Sequence, residues 1–394
     1  MSDLYDLPNG WEWKKLGDIS DFQGGSQPPK KEFIYEEKEG YVRFLQIRDF
    51  SSDKNITYIP IAKKNRLCEE DDILIGRYGA SVGKILTGKK GAYNVAIMKT
   101  FPNEEIVTKR FFYMYLISPH FQNPLLNDVS QRAAQNGFSK DDISPLEVPL
   151  PPLSEQQRIV SKLDNLFEKI DKSIALHQKN MDEADLFMGS VLNDVFGELE
   201  EKYKGIPLFD VAEVNRGKSK HRPRNDKKLF GGNYPFIQTG DVRNATKYIN
   251  SYSETYSEFG LSQSKLWKKG TICMTIAANI GDVAILDMDS CFPDSVVGLY
   301  SENNSNDFLY YFLLTLKQHL ESKATTTAQM NINLKVLQTI NIPLPPLPIQ
   351  QKVVKYLDEV SEKIEKVKSI QKEKMDSLKA LKASILDGAF RGEL

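Results

Sequence analysis

The sequence predicts an α+β protein: two globular heads of mixed α/β structure, joined by two long helices that pair as an antiparallel coiled coil. Three observations predict this architecture. The chain contains an internal duplication, each copy alternates short apolar runs with glycine-rich turns, and each copy ends in an apolar seam of heptad spacing. With 394 residues the chain is long enough for two or three domains, each with its own core.

The duplication is visible as short segments that return in the same order at a nearly constant offset. PLPPLSEQQ from Pro149 returns as PLPPLPIQQ from Pro343, and SVLNDVFGEL from Ser190 returns as SILDGAFRGEL from Ser384. FLQIRD from Phe44 likewise returns as FIQTGD from Phe236. Two copies of one unit of about 195 residues explain this order, and a pseudo-two-fold axis is expected to relate them.

Each copy has the same internal order of predicted elements. Apolar and β-branched runs such as YVRFLQI, DILIG and KILTG come first, and these predict strands. An aromatic stretch follows, KRFFYMYLIS from Lys109 in the first copy and DFLYYFLLTLKQHL from Asp307 in the second, and it predicts a helix. The proline cluster then ends the head, because proline lacks a backbone N–H and restricts the residue before it.

The charged segment after each proline cluster predicts a long helix. Its apolar residues recur at alternating spacings of four and three, which is the pattern of a coiled-coil seam. The seam residues are Ile159, Leu163, Leu166 and Ile170 in the first segment and Val353, Leu357, Val360 and Ile364 in the second. A helix of about 38 residues is about 57 Å long and needs a partner to be stable in water. Each helix is therefore expected to pair with its duplicate.

Composition excludes several classes of protein. The 52 basic and 53 acidic side chains give a net charge of −1, which argues against coating nucleic acid by bulk charge. The chain has no apolar run of membrane-spanning length and no basic leader, so we expect a cytoplasmic protein. Cys68, Cys273 and Cys291 are isolated, so no metal site or disulfide framework is expected.

Three parts of the sequence together resemble the specificity (S) subunit of type I restriction–modification enzymes. They are the opening LPNGWEWKKLGDIS, the two PLPPL clusters that lead through QQ into a long helix, and the terminal SILDGAFRGEL. The resemblance covers the whole chain. It implies a non-catalytic subunit of a restriction system, in which two target recognition domains each read one half of a bipartite, asymmetric double-stranded DNA target.

The same resemblance implies partners and domain boundaries. The long helices would space the half-sites and dock two methyltransferase (M) subunits, and restriction (R) subunits would join that core. The partner subunits would bind S-adenosylmethionine, ATP and Mg, and this chain would bind no cofactor. The expected divisions are recognition domain 1 at 1–153, spacer helix 1 at 154–195, a linker at 196–207, recognition domain 2 at 208–347, spacer helix 2 at 348–388 and a tail at 389–394.

Candidate DNA contacts are the basic and amide side chains of the predicted loops, because arginine, lysine, asparagine and glutamine read base edges and hold phosphates. In the first domain they are Arg48, Arg77, Lys84, Arg132, Gln135, Asn136 and Lys140. In the second domain they are Arg216, Lys218, Lys220, Arg222, Arg224, Gln238, Arg243, Asn244, Asn279, Gln329, Asn331 and Asn333. Five of these belong to the basic segment 216–228, which we expect to be a mobile loop that clamps phosphate.

Two other functions stay open at this point. The heads could bind proteins, which would make the chain a two-headed interaction scaffold without DNA specificity. Alternatively, the chain could modify DNA by itself, with a nuclease site drawn from Pro293, Asp294, Glu321 and Lys323. The sequence carries no methyltransferase tetrapeptide such as NPPY or DPPY, which disfavours self-contained methylation.

Overall fold

The computed structural model describes residues 5–129, 137–277, 280–317 and 334–394. The chain divides into two compact units, and both long helices pass from one unit into the other. The first unit comprises Met1–His177 and Glu373–Leu394, and the second comprises Gln178–Lys372.

The described residues of the first unit form three small sheets. Glu12–Lys15 pairs with Glu147–Leu150 in an antiparallel ribbon. An antiparallel sheet has the strand order Ser20–Gly24, Ile97–Pro102, Leu74–Gly76 and Ile85–Leu86. A mixed sheet has the order Tyr58–Pro60, Tyr41–Leu45, Gly91–Tyr93 and Leu67–Cys68. The unit's shorter α-helices are Leu16–Ile19, Lys109–Ile117, Pro119–Pro124 and Lys140–Ile143. One π turn spans Leu125–Val129, and short 3₁₀ turns span Lys30–Glu32, Ile47–Phe50 and Gly79–Ser81.

The second unit repeats this plan with its own variations. Gly205–Pro207 pairs with Asn341–Pro343, as the equivalent ribbon does in the first unit. The main sheet has the order Glu213–Arg216, Val296–Tyr300, Ile272–Thr275, Val283–Leu286 and Tyr248–Ile249. Phe230–Phe236 pairs with Glu254–Tyr256. The shorter helices are Leu208–Val211, Thr239–Asn244, Glu258–Ser262, Asn306–Thr315 and Leu334–Gln338, and a 3₁₀ turn spans Lys227–Leu229. The structure thus confirms the predicted duplication and the mixed α/β heads.

The two aromatic helices form the same way in each copy. Lys109–Ile117 begins where the hydroxyl of Thr108 accepts a hydrogen bond from the Phe111 amide, and Asn306–Thr315 begins at Ser305 with the equivalent bond to Phe308. A hydroxyl in this position satisfies one of the unpaired amides of the first turn. Both helices bury most of their aromatic and aliphatic side chains in the core of their own unit.

The long helices extend beyond their predicted ends. The first spans Leu153–Lys202, so the predicted linker at 196–207 begins as helix. Phe196 and Leu199 are buried in the core of the second unit, and this burial stabilises the extra turns. The second long helix spans Leu347–Phe390, because Phe390 is buried in the first unit and the helix ends only before Gly392, whose φ is positive.

Within each unit, the two long helices lie side by side and run in opposite directions. In the first unit the Lys382 ammonium lies 2.7 Å from the Asp171 carboxylate. In the second unit Lys368 lies 2.9 Å from Asp185. The eight seam residues are buried or half-buried, namely Ile159, Leu163, Leu166, Ile170, Val353, Leu357, Val360 and Ile364. The helix pair of each unit therefore encloses the apolar seam.

Candidate nucleic-acid interface

A glutamine in each proline cluster joins the long helix to the head. Gln156 accepts a hydrogen bond from the Thr108 amide at 2.8 Å and donates to the carbonyls of Ile106 and Pro151. Gln350 accepts from the Ser305 amide at 2.9 Å and donates to the Pro345 carbonyl and to the side chain of Asn304. Both glutamines are buried. The first glutamine of each QQ pair thus makes the same connection, which explains why the cluster is kept in both copies.

A second repeated feature positions the candidate side chains at 46–48 and 238–244. Gln46 accepts a hydrogen bond from the Asp49 amide, while the Asp49 carboxylate accepts one from the Gln46 amide at 2.7 Å. Gln238 and Asp241 form the same reciprocal cap in the second unit, also at 2.7 Å. The prediction of loops at these two places is therefore wrong, because Ile47–Phe50 is a 3₁₀ turn and Thr239–Asn244 is a short helix.

The candidate cations of the first unit differ in how accessible they are. Arg48 and Lys84 are exposed. Arg77 is half-buried, and its Nε donates to the Phe138 carbonyl at 2.8 Å, so part of this guanidinium holds the unit together. Lys140 forms an ion pair with Asp21 and is the first residue of a short helix. Arg48, Lys84 and Lys140 are therefore exposed, whereas Arg77 is partly used inside the unit.

Seven candidate residues lie outside the residues that the structure describes, and their DNA role stays a prediction. They are Arg132, Gln135, Asn136, Asn279, Gln329, Asn331 and Asn333.

The basic segment 216–228 is anchored to the second unit rather than free along its length, which corrects the expectation of a mobile loop. The Gly217 amide donates to the Val296 carbonyl at 2.9 Å, and the Lys220 amide donates to the Gln263 carbonyl at 3.1 Å. The Ser264 hydroxyl donates to the Lys218 carbonyl at 2.8 Å. Gly217 has no space for a side chain, since a Cβ there would lie 2.3 Å from the Pro293 carbonyl oxygen. These contacts fix the course of the segment while its cationic side chains stay exposed.

The cations of this segment fall into two groups. Arg222 donates to the carbonyls of Ser219 and His221, and Arg224 lies 2.9 Å from the Asp294 carboxylate. Both arginines thus have structural partners, yet their side chains remain exposed. The other cationic side chains of the segment are exposed too, namely Arg216, Lys218, Lys220, Lys227 and Lys228. The same ion pair gives Asp294, one residue of the hypothetical nuclease site, a partner on the basic segment.

A cleft of about 680 Å³ opens between the basic segment and the strand pair of Phe230–Phe236 and Glu254–Tyr256. One wall is aromatic, since Phe236 stacks on Tyr256 with ring centroids 3.9 Å apart. Gln238 lies on the same lining and donates to the Glu254 carboxylate at 2.8 Å. Arg243 and Asn244, by contrast, are exposed at the end of the neighbouring short helix.

Sequence reasoning missed Glu254 and the aromatic wall. Glu254 is sixteen residues from Gln238 and reaches it only because its strand pairs with the strand that precedes Gln238. The alternation of YPFIQ carries the signal for that strand, but the sequence does not give the register that sets Glu254 beside Gln238.

The structure shows no group of three or more metal-binding side chains within its described residues. The same residues include no helix that is long and apolar enough to cross a membrane. The three cysteines are buried, and burial raises the pKa of the Cys68 thiol to about 11, so that this thiol is protonated at neutral pH.

The fold and these surfaces define a class of protein with a duplicated helical frame and two heads whose exposed polar side chains differ. The family model for the type I restriction modification DNA specificity domain matches residues 8–180 and again residues 200–374. The chain belongs to this family and carries the domain twice. The family assignment confirms the prediction of a non-catalytic DNA specificity subunit.

Individual relatives support the assignment along the whole chain. The type I restriction enzyme MjaVIII specificity subunit of Methanocaldococcus jannaschii is 27% identical, with 91% of this chain and 88% of that protein covered. The EcoBI specificity subunit of Escherichia coli is 24% identical over 100% of this chain and 88% of its own length. A chain of a type I R-M system, solved in work on its complex assembly and conformational transition, has the same fold. Its TM-score is 0.73 at 22% identity, over 99% of this chain and 100% of that one.

Proposed function

We propose that the chain reads a bipartite, asymmetric double-stranded DNA target, with one half-site bound by each head. The observation that carries this proposal is the contrast between frame and surface. The buried Gln156 and Gln350 make matching bonds, and the caps at Gln46 and Gln238 are equivalent. The exposed polar residues around these caps differ between the copies, as they must if each head reads a different sequence.

We also propose that the paired helices dock two methyltransferase subunits and that restriction subunits join this core. A duplicated frame offers the same surface twice, which suits two copies of one partner. S-adenosylmethionine, ATP and Mg would then be bound by the partner subunits. The alternative of a two-headed protein scaffold predicts no enrichment of any sequence from random DNA, even with the methyltransferase subunits present.

Exchange of residues 1–150 for the head of another family member should change one half-site and leave the other unchanged. Each head has its own core, so its surface can change without altering the other head. The targets are read by selecting bound duplexes from a randomised pool with the chain in complex with its methyltransferase subunits. Reciprocal exchange of residues 208–347 is the control and should change the other half-site only. A change of both half-sites after one exchange would contradict modular reading.

The basic segment should contribute general affinity for DNA. Replacing Lys218, Lys220, Lys227 and Lys228 with glutamine should weaken binding and flatten the dependence of log K on log salt by about 3 to 4 units, since each phosphate contact contributes about 0.9. Fluorescence anisotropy of the complex across a salt series measures this slope. Arginine at the same four positions keeps the charge and should keep the slope. An unchanged slope in the glutamine variant would remove the segment from the interface.

A further inference from the structure

The cleft of the second unit holds a hydrogen-bonding pair with unused capacity. Gln238 is fixed by the cap, since its backbone carbonyl accepts from the Asp241 amide at 3.1 Å and its backbone amide donates to the Asp241 carboxylate at 2.7 Å. One of the two side-chain amide hydrogens of Gln238 is donated to the Glu254 carboxylate at 2.8 Å. Among the residues that the structure describes, neither the second side-chain amide hydrogen of Gln238 nor the other carboxylate oxygen of Glu254 has a hydrogen-bond partner, and Glu254 is exposed. The pair therefore offers one donor beside one acceptor.

This combination matches one base edge in the major groove better than the other three. Adenine presents the N7 acceptor beside the N6 amino donor, so Gln238 can donate to N7 while Glu254 accepts from N6. Guanine presents N7 and O6, two acceptors, and O6 would face the carboxylate without a proton between them. Thymine offers O4 and a methyl group, and cytosine offers only its N4 amino group to the pair. A lone glutamine usually reads adenine with its own carbonyl and amide; here the side-chain amide of Gln238 is already bonded to Glu254, whose carboxylate can act as the acceptor in place of the glutamine carbonyl.

Charge supports the same assignment. The cleft is lined by Arg224 and Lys227, which suit a phosphate backbone. A carboxylate on the same lining is repelled by phosphate, whereas an amino group of a base can donate a hydrogen bond to it. Glu254 is thus suited to base recognition rather than to general binding.

The first unit has the same cap without the carboxylate. Phe44 corresponds to Phe236. The Phe44 amide donates to the carbonyl of Thr57, so the residue opposite Phe44 is a buried threonine. In the second unit the residue paired with Phe236 is Glu254. The frame around the glutamine is shared while its partner differs, as expected for a position that sets sequence preference.

We propose that Gln238 and Glu254 together read an adenine in the half-site of the second head, an inference that rests on the proposed function. The test is Glu254→Gln in the full chain, assembled with its methyltransferase subunits and used to select duplexes from a randomised pool. The introduced side chain keeps the bond to Gln238 through its carbonyl, but its amide can also donate to guanine O6. At one position of the second half-site, the preference for adenine over guanine should fall by about tenfold or more, with every other position unchanged.

Glu258→Gln is the matched control, because it removes the same charge from an exposed residue that binds the Tyr234 hydroxyl at 2.7 Å rather than lining the cleft. It should leave all preferences unchanged. If Glu254→Gln also leaves every position unchanged, or alters a position where the unmodified chain does not select adenine, the reading pair is overturned while two-headed DNA recognition stands. If the unmodified complex enriches no sequence at all, the proposed function fails and this inference fails with it.

Discussion

Leucine in place of Gln350 should lower the free energy of unfolding by about 2–6 kcal/mol. The substitution leaves the Ser305 amide and the Pro345 carbonyl without their partner inside the protein, and each unsatisfied buried group costs about 1–3 kcal/mol. The Ser305 amide belongs to the residue that caps the aromatic helix Asn306–Thr315, so the loss reaches the core of the second unit. Gln156→Leu should have a similar effect in the first unit, where the Thr108 amide and the carbonyls of Ile106 and Pro151 lose their partner.

Urea denaturation followed by circular dichroism measures these losses as a shift of the transition midpoint. The neighbouring Gln157 and Gln351 are exposed and provide matched controls, since their replacement by leucine makes the same chemical change on the surface. The controls should stay within about 0.5 kcal/mol of the unmodified chain. Equal midpoints for Gln350→Leu and Gln351→Leu would show that the buried bonds do not hold the helix to the head.

The parts of the fold that depend on local pattern could be predicted from the sequence. The aromatic helices, the long helices and their apolar seam follow from residue periodicity, and the duplication follows from repeated segments. The ends of the long helices could not be predicted, because Phe196 and Phe390 extend the helices only through burial in a unit built from distant segments. The first strand, Glu12–Lys15, pairs with residues more than a hundred positions away, which local pattern does not specify.

The candidate site shows the same division. Basic and amide residues could be selected by type, but their freedom to bind DNA depends on tertiary contacts such as those of Arg77 with Phe138 and Arg224 with Asp294. The Q-x-x-D spacing in QIRD and QTGD is present in both copies and is the signal for the two reciprocal caps. Glu254 became a candidate only through strand register, since it lies opposite Phe236.

Insertion of seven residues into both long helices should lengthen the accepted gap between half-sites by about three base pairs. A heptad adds about 10 Å to a helix and keeps the seam on the same face, and the duplex rises by about 3.4 Å per base pair. Both helices must be extended, because each unit pairs a segment of one with a segment of the other, through contacts such as Asp171 with Lys382 and Asp185 with Lys368. Suitable positions follow His177 and Lys372, where the two units meet along the chain.

Selection from a pool with randomised half-sites and variable spacing measures the effect directly. The half-site sequences should stay the same, because the insertion leaves the residues of both heads unchanged. A length-neutral control replaces seven existing residues at the same positions with the inserted sequence and should retain the original gap. An insertion variant that keeps both half-sites and the original gap would contradict the spacer role that the family resemblance implies. Loss of all selection would show that extending the helices disrupts their pairing. That second result is separable from the first by circular dichroism, since disrupted pairing lowers helix content and a longer intact pair raises it.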